Sequence, residues 1–453
     1  MHRLSGELVR FQKSLFIICL LGFVFALGMH TAARQWPPFT LFRTGVENIK
    51  AIKVWLTESQ STAKLVRVLD DGQDQRRVIK SGQAGDEYLL VAGGLGQWSE
   101  HCPTYGCLAA IINRDGSVVH TWDFNPDEIF DGSQHVGLSA QQVYPSGVYL
   151  SDSGDLLVSF QNQGGYPYSY GMAKYSFDGT LLWNKVGFDH HWFDVSADGS
   201  IYSPVLRIVA GSLTVAGKEL KCLGGSYYED YVRVYSASGE ILNEYSMLEL
   251  LRKSGFDALL SSANDPCDPT HLNDIRLLDA SEFGLNDRDT KLVILSLRNI
   301  NSVAIADLST FEILWIVSGL TREQHSPRMF HDGVVVFDNY AGQNRSEIVS
   351  IHPGSFAKTI VYPRTEGTAF YSDTAGYIDL SDDGRRAIVS ETKAGRILEI
   401  DMQTGSVLWE FLNLHQARDS LEVPSLDAAK GRFAVFSTSC AVYIPRTLVE
   451  RLL

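Results

Sequence analysis

The sequence lacks the features that most nucleotide-driven and nucleic-acid-binding proteins carry. It has no Gly-rich loop of the GxxxxGK(S/T) type, so no phosphate cradle is encoded. It has no block of Lys and Arg, and 53 Asp plus Glu against 39 Lys plus Arg leave a formal charge of -14. A polyanion needs a basic face, so nucleic acid is excluded as a partner. No CxxC pair occurs among the six cysteines, which removes the usual signature of a structural zinc site. What is present is 453 residues at 45% hydrophobic content, enough to bury a large core.

The N-terminus carries an address. Arg3, Arg10 and Lys13 precede an unbroken apolar run from Leu15 to Met29. A basic flank before an apolar stretch is a secretory signal or a signal-anchor. The run is short for a bilayer span, and His-Thr-Ala-Ala extends it before Arg34. The expectation is an uncleaved transmembrane anchor over 1–34 with the rest exported to the periplasmic, extracytoplasmic side. Secretion after cleavage near Ala32 or Ala33 is the alternative. Residues 35–85 read as a helical stalk and linker. Disulfides are permitted in an exported chain. Cys102–Cys107 and Cys222–Cys267 are the pairings considered, against a reading of buried free thiols, because spacing does not fix connectivity.

From about Tyr88 onward, short apolar runs alternate with turn signals. A unit of strand, turn and strand ending near Trp or Tyr recurs as "INRDGSVVHTWDF", "YSFDGTLLWNKV", "YSASGEILNEYSM", "ADLSTFEILWIVSG" and "IDMQTGSVLWEFL". All but the fourth hold a glycine that supplies positive φ at a hairpin turn. A second set, "SDSGDLLVSF", "SADGSIYSPV", "FHDGVVVFDN" and "SDDGRRAIVSE", interleaves with the first. Two hairpins per repeat make a four-stranded sheet that buries both faces only by stacking on neighbours. The predicted fold class is therefore all-β: a six-bladed β-propeller over 86–453, preceded by the membrane helix and short helical stalk. A helical insertion is expected near 245–262, and the C-terminal strand is expected to close the ring.

Three repeats open with histidine before an apolar run: "DHHWFDVSADG", "PTHLNDIRLLD" and "EQHSPRMFHDG". Inner strands of a propeller start at one end of the channel, so His190 or His191, His271 and His325 should converge there. Three imidazoles can hold zinc with an open position. Arg298 and Asn299, polar groups ending the strand "KLVILS", point instead to an anionic ligand. His331 falls in a hairpin turn, on the solvent side. Tyr166, Tyr168 and Tyr170 are read as a solvated loop or, alternatively, an aromatic mouth.

With these residues the chain resembles the bacterial arylsulfotransferase family, PAPS-independent enzymes that pass a sulfuryl group between phenols. The resemblance runs from Val118 to Leu414 through "HTW", "HHWFDVSADGSIY", "HLNDI", "SLRN", "QHSPR", "VVVFDN", "SETKAGRILEID" and "TGSVLWEF", in the family's order. It implies a ping-pong sulfohistidine reaction between an aryl sulfate donor and a phenolic acceptor, with no metal or nucleotide cofactor. His325 is then the nucleophile, with His271, Arg298 and His190 or His191 as its catalytic companions. Asn273, Thr392 and Asn299 fall on substrate-binding positions. The rival reading is a non-catalytic, membrane-tethered binding or scaffold propeller of quinoprotein-like type, since "DMQTGSVLWEF" matches a blade-docking motif.

Overall fold

The computed structural model describes residues 16–28, 30, 66–70, 72–81, 84–130, 143–162, 169–215, 217–220, 222, 225–279, 291–331 and 333–453. The chain divides into two compact units, Met1–Gln60 and Ser61–Leu453. In the first unit, residues 16–28 are helical and exposed. No helix of the described residues is long and apolar enough to cross a membrane. Apart from His30, the rest of the expected 1–34 segment lies outside the described residues, as does 35–65.

The second unit is built of antiparallel sheets in a propeller-like arrangement. Among the described residues, six of them carry four or more strands. Sheet 1 joins the C-terminal strand Cys440–Ile444 to Tyr88–Ala92, Cys107–Ile112 and Val118–Asp123. Sheet 2 contains Val143–Leu150, Leu156–Asn162, Ser169–Tyr175 and Leu181–Val186. Sheet 3 contains Asp194–Val195, Ile201–Ala210, Ser226–Tyr235 and Ile241–Ser246. Sheet 4 contains Leu272–Leu278, Leu292–Leu297, Ser302–Asp307 and Glu312–Ser318. Sheet 5 contains His325–Phe330, Gly333–Gly342, Arg345–Ile351 and Lys358–Tyr362. Sheet 6 contains Tyr377–Leu380, Arg386–Glu391, Arg396–Asp401, Val407–Leu412 and, outermost, Val78–Ser81.

The residues 66–81 correct one expectation. Read as part of a helical stalk and linker, their ordered segments are strands: Val66–Val68 pairs with Phe433–Phe436, and Val78–Ser81 with Val407–Leu412. A strand edge offers unpaired amides and carbonyls along its length, and these short Val-rich segments fill such edges. Met247–Lys253 is an α-helix capped by the Ser246 side chain, followed by a 3-10 helix at Asp257–Ser262.

Burial follows position in each sheet. Leu292–Leu297, second in sheet 4, is buried at every residue, whereas the outer strand Glu312–Ser318 keeps exposed positions. A strand covered on both faces reads as a continuous apolar run, which is why the inner strands show no alternation. The five recurrent sequence units are the outer hairpins of sheets 1, 2, 3, 4 and 6. Gly116, Gly179, Gly239 and Gly405 hold positive φ at four of these turns, and Phe311, at φ 56°, takes that place where glycine is missing.

The unit's terminal tryptophan ties one sheet to the next. Trp122 Nε1 donates to the Ser176 carbonyl at 3.0 Å, Trp183 to Ala237 at 3.3 Å and Trp315 to Pro353 at 3.0 Å. Trp409 donates to the Arg114 carbonyl at 2.8 Å, linking sheet 6 to sheet 1. Each indole thus satisfies its only donor on the outer turn of another sheet, with Trp122 and Trp409 fully buried and Trp183 and Trp315 partly so. Cys440–Ile444 pairs with Tyr88–Ala92 in register, so the two ends of the unit share one sheet.

Candidate active site

The innermost strands start at a common end, and the histidine-bearing segments lie there. His325 opens the first strand of sheet 5, His271 precedes that of sheet 4, and His190 and His191 precede that of sheet 3. Arg298 and Thr392 occupy matching short 3-10 turns, each after the second strand of its sheet. His191, His271, Arg298, His325 and Thr392 line one cavity of about 250 Å³. The ring of His191 lies 5.2 Å from that of His271 and 6.4 Å from that of His325. Several non-glycine residues here have positive φ, among them His191 at 55°, His271 at 48° and Ser326 at 53°. Such backbone costs roughly 1–3 kcal/mol per residue and persists where surrounding structure imposes it.

His325 is 2% exposed, and its Nδ1 lies 2.7 Å from Asn339 Oδ1. The Asn339 amide nitrogen donates to the carbonyls of Ser372 and Ala375, which fixes its oxygen toward the imidazole. An acceptor oxygen there requires hydrogen on Nδ1, so Nε2 carries the lone pair of the neutral ring. Burial, helped by the Arg298 guanidinium, lowers the His325 pKa to about 3. Burial likewise holds His191 and His271 well below the ordinary histidine range, with neighbouring imidazoles and Arg298 acting in the same sense. At neutral pH these three rings are uncharged, and the guanidinium of Arg298 lines the same cavity. Arg298 donates to Asn299 Oδ1 at 2.9 Å and pairs with Glu323. His271 Nδ1 meets the Asp268 carboxylate at 2.5 Å.

Three residues expected at the site stand behind it. His190 is fully buried and reaches the cavity through His191, their Nδ1 atoms being 2.6 Å apart. Asn273 is fully buried and donates to the Gln324 carbonyl at 2.9 Å, steadying the residue before His325. Asn299 donates to the Asp268 carbonyl and accepts from Arg298, so it orients the guanidinium. The physical reason is common to all three: a polar side chain pointing into the sheet wall finds a backbone or side-chain partner there before it finds solvent. Thr392 differs, because its buried hydroxyl has no partner among the described residues. His331 is an exposed turn residue at φ 51°. Tyr170 is buried against Phe130 at 4.6 Å rather than at a mouth, and Tyr166 and Tyr168 lie outside the described residues.

Sequence reasoning overlooked Asn339, Asp230, Asp268 and Trp192. Asn339 ends the apolar run "VVVFDN", the same signal that singled out Arg298, and was readable on that ground. Asp230 sits within the polar strand "SYYEDYVRVY", where nothing marks one acid over another. Trp192 packs edge-on at 5.9 Å from the His325 ring and forms an aromatic wall of the cavity. Both considered disulfides are present: Cys102–Cys107 and Cys222–Cys267. A larger cavity of about 530 Å³ lies at the opposite strand ends, against Arg276, Tyr377 and Asp379. It holds none of the histidines.

A propeller-like all-β unit with imidazoles and a guanidinium gathered in one cavity at the starts of its inner strands defines the class. The sequence profile of the arylsulfotransferase (ASST) family matches residues 148–414. The chain belongs to that family. No curated protein matches it. Among solved structures, one of a protein of unknown function from Bacteroides caccae is similar at 14% identity and TM-score 0.45, over 72% of this chain and 93% of that one. The β-propeller domain of Cps50 (Swd1) from Myceliophteria thermophila is similar at 10% identity and TM-score 0.37, over 75% of this chain and 88% of that one. The Dos1 propeller is similar at 13% identity and TM-score 0.37, over 76% and 77%. These likenesses are too distant to carry an argument.

Proposed function

We propose that the chain is an aryl sulfate sulfotransferase, a six-bladed propeller that moves a sulfuryl group from a phenolic sulfate ester to a phenolic acceptor through a sulfohistidine. The observation that carries this reading is His325: a neutral buried imidazole, hydrogen held on Nδ1 by Asn339, lining a cavity shared with Arg298. The Nε2 lone pair attacks sulfur, an N–S bond forms, and the S–O bond to the phenoxide breaks. The acceptor phenol then loses its proton, its oxygen attacks the same sulfur, and the N–S bond breaks. Both transition states are loose, as in phosphoryl transfer, so catalysis is mainly positioning and charge stabilisation. Arg298 and the Thr392 hydroxyl meet the sulfuryl oxygens as they gain charge. An entering sulfate also supports an imidazolium at His271, whose other nitrogen faces the Asp268 carboxylate. His191 is the proton donor to the leaving phenoxide and the acceptor from the incoming phenol. Trp192 and the half-buried Tyr144 supply aromatic surface for the two rings.

We also propose that the chain is exported and held at the membrane by its N-terminal segment. The basic flank, the apolar run and the two disulfides support this, since disulfides persist in oxidising compartments.

The test is transfer from para-nitrophenyl sulfate to a phenol, without nucleotide, by wild type and by His325→Ala. Wild type should turn over and the variant should not, and donor alone should leave one sulfuryl group on His325 by peptide mass analysis. Full activity in His325→Ala would remove the mechanism. An inactive wild type would favour a tethered, non-catalytic binding propeller.

A further inference from the structure

We propose that Asp230 and His190 form a buried proton relay behind His191, switching it from acid to base between the two half-reactions. The proposal rests on the sulfotransferase reading above and adds to it a function for two side chains that never touch substrate.

Asp230 lies in Ser226–Tyr235, the third strand of sheet 3, and is 1% exposed. One carboxylate oxygen accepts from the Thr270 hydroxyl at 2.6 Å and from the Leu272 amide at 2.9 Å. The other lies 3.3 Å from His190 Nε2. Burial by itself favours a protonated acid, but the His190 imidazole, the Thr270 hydroxyl and the Leu272 amide outweigh it and hold the carboxyl below its usual range. Asp230 is thus an anion in the wall, and a buried anion is stabilised by a cation beside it. The groups facing the histidine pair are Asp189 and Asp230 from sheet 3, His271 and Arg298 from sheet 4, and His325 from sheet 5. Asp189 is engaged by the Tyr235 hydroxyl, which leaves Asp230 as the carboxylate on the pair.

The two Nδ1 atoms, 2.6 Å apart, have room for one hydrogen between them. Asp230 keeps a hydrogen on His190 Nε2 in either state. With one extra proton on the pair, His190 Nδ1–H donates to His191 Nδ1, and His191 must carry its hydrogen on Nε2, an acid for the cavity. Without that proton, His191 Nδ1–H donates to His190, and His191 Nε2 is a lone pair, a base. In the first half-reaction, His191 gives its Nε2 hydrogen to the phenoxide and takes the hydrogen from His190 Nδ1. In the second, the acceptor phenol returns a proton by the reverse path. One proton leaves and one returns per cycle, with no oxidant or further reactant required.

The measurement is kcat/KM for a series of aryl sulfates whose phenols differ in acidity. Protonation matters little for para-nitrophenoxide and greatly for unsubstituted phenoxide. Asp230→Asn keeps an acceptor for Thr270 and Leu272 while removing the charge. It should lose about tenfold or less with para-nitrophenyl sulfate and about 100-fold or more with phenyl sulfate. His190→Gln keeps Asp230 and both its anchors, and should steepen the dependence on leaving group in the same way. It carries the test if Asp230→Asn does not fold. A uniform loss across donors in the folded variants means that Asp230 only latches sheet 3 to sheet 4, and the relay is overturned. A wild type inactive on all donors overturns the sulfotransferase reading and the relay together.

Discussion

At the scale of single residues, the site sets three imidazoles kept uncharged by burial beside the guanidinium of Arg298. His325, His191 and His271 are held neutral chiefly by desolvation, while Arg298 remains a cation among them. Neutrality is what a nucleophilic imidazole needs, because its lone pair is then free without help from a base. It also has a thermodynamic consequence with a definite sign. In the unfolded chain His325 binds a proton below about pH 6.5, whereas folded it does so only near 3. As pH falls through that window the unfolded state gains protons and the fold loses stability. Buried carboxyls with raised pKa, such as Asp189 and Asp274, act in the opposite sense, so the contribution is read by difference. Between about pH 7 and about pH 5, His325→Gln should lose roughly 2 kcal/mol less stability than wild type, the upper bound for one such group. Denaturant unfolding at both pH values measures this, and parallel profiles would show that His325 titrates normally.

At the scale of elements, the outer hairpin serves two purposes. Its turn closes the sheet, and its tryptophan reaches the turn of another sheet, so each repeat helps fix its neighbour. Trp409 is fully buried, stacks on Phe411 and lies under the Arg114 guanidinium at 5.4 Å. Trp409→Phe removes the donor to the Arg114 carbonyl but keeps most of the ring. It should cost about 1–2 kcal/mol, the value of a hydrogen bond whose acceptor is left buried. Trp183 makes the longer, more exposed version of the contact, and Trp183→Phe should cost about 0.5 kcal/mol. Thermal unfolding that ranks the two variants in the other order would mean the indole bond is incidental to docking. The site benefits from this arrangement, since His271 and His325 stand on different sheets and hold their separation only while those sheets hold theirs.

At the scale of the whole molecule, closure is the feature with the largest consequence. Tyr88–Ala92 is buried throughout and would be a bare edge without Cys440–Ile444. Unpaired apolar edges recruit other chains, so removing 440–453 should yield a protein that elutes as aggregate in size-exclusion chromatography. A monodisperse, histidine-competent truncation would refute the account of closure. The repeats, the glycine turns and the docking tryptophans were legible in the sequence because hairpin chemistry is local: a turn needs positive φ, and glycine supplies it. The convergence of His191, His271 and His325 was legible for the same reason, since repeat register fixes which strand end each occupies. The sequence left open which of His190 and His191 faces the cavity, because adjacent residues alternate in direction and only the packed wall decides. It also gave no sign that Asp230 and Asn339 are the groups governing the protons of the imidazoles. Those partners lie 40 and 14 residues away from the rings they touch. Sequence determined the strands, the turns and the strand ends at which the histidines gather. Tertiary structure alone decided the tautomers, because a hydrogen's place on an imidazole depends on an acceptor that folding brings beside it.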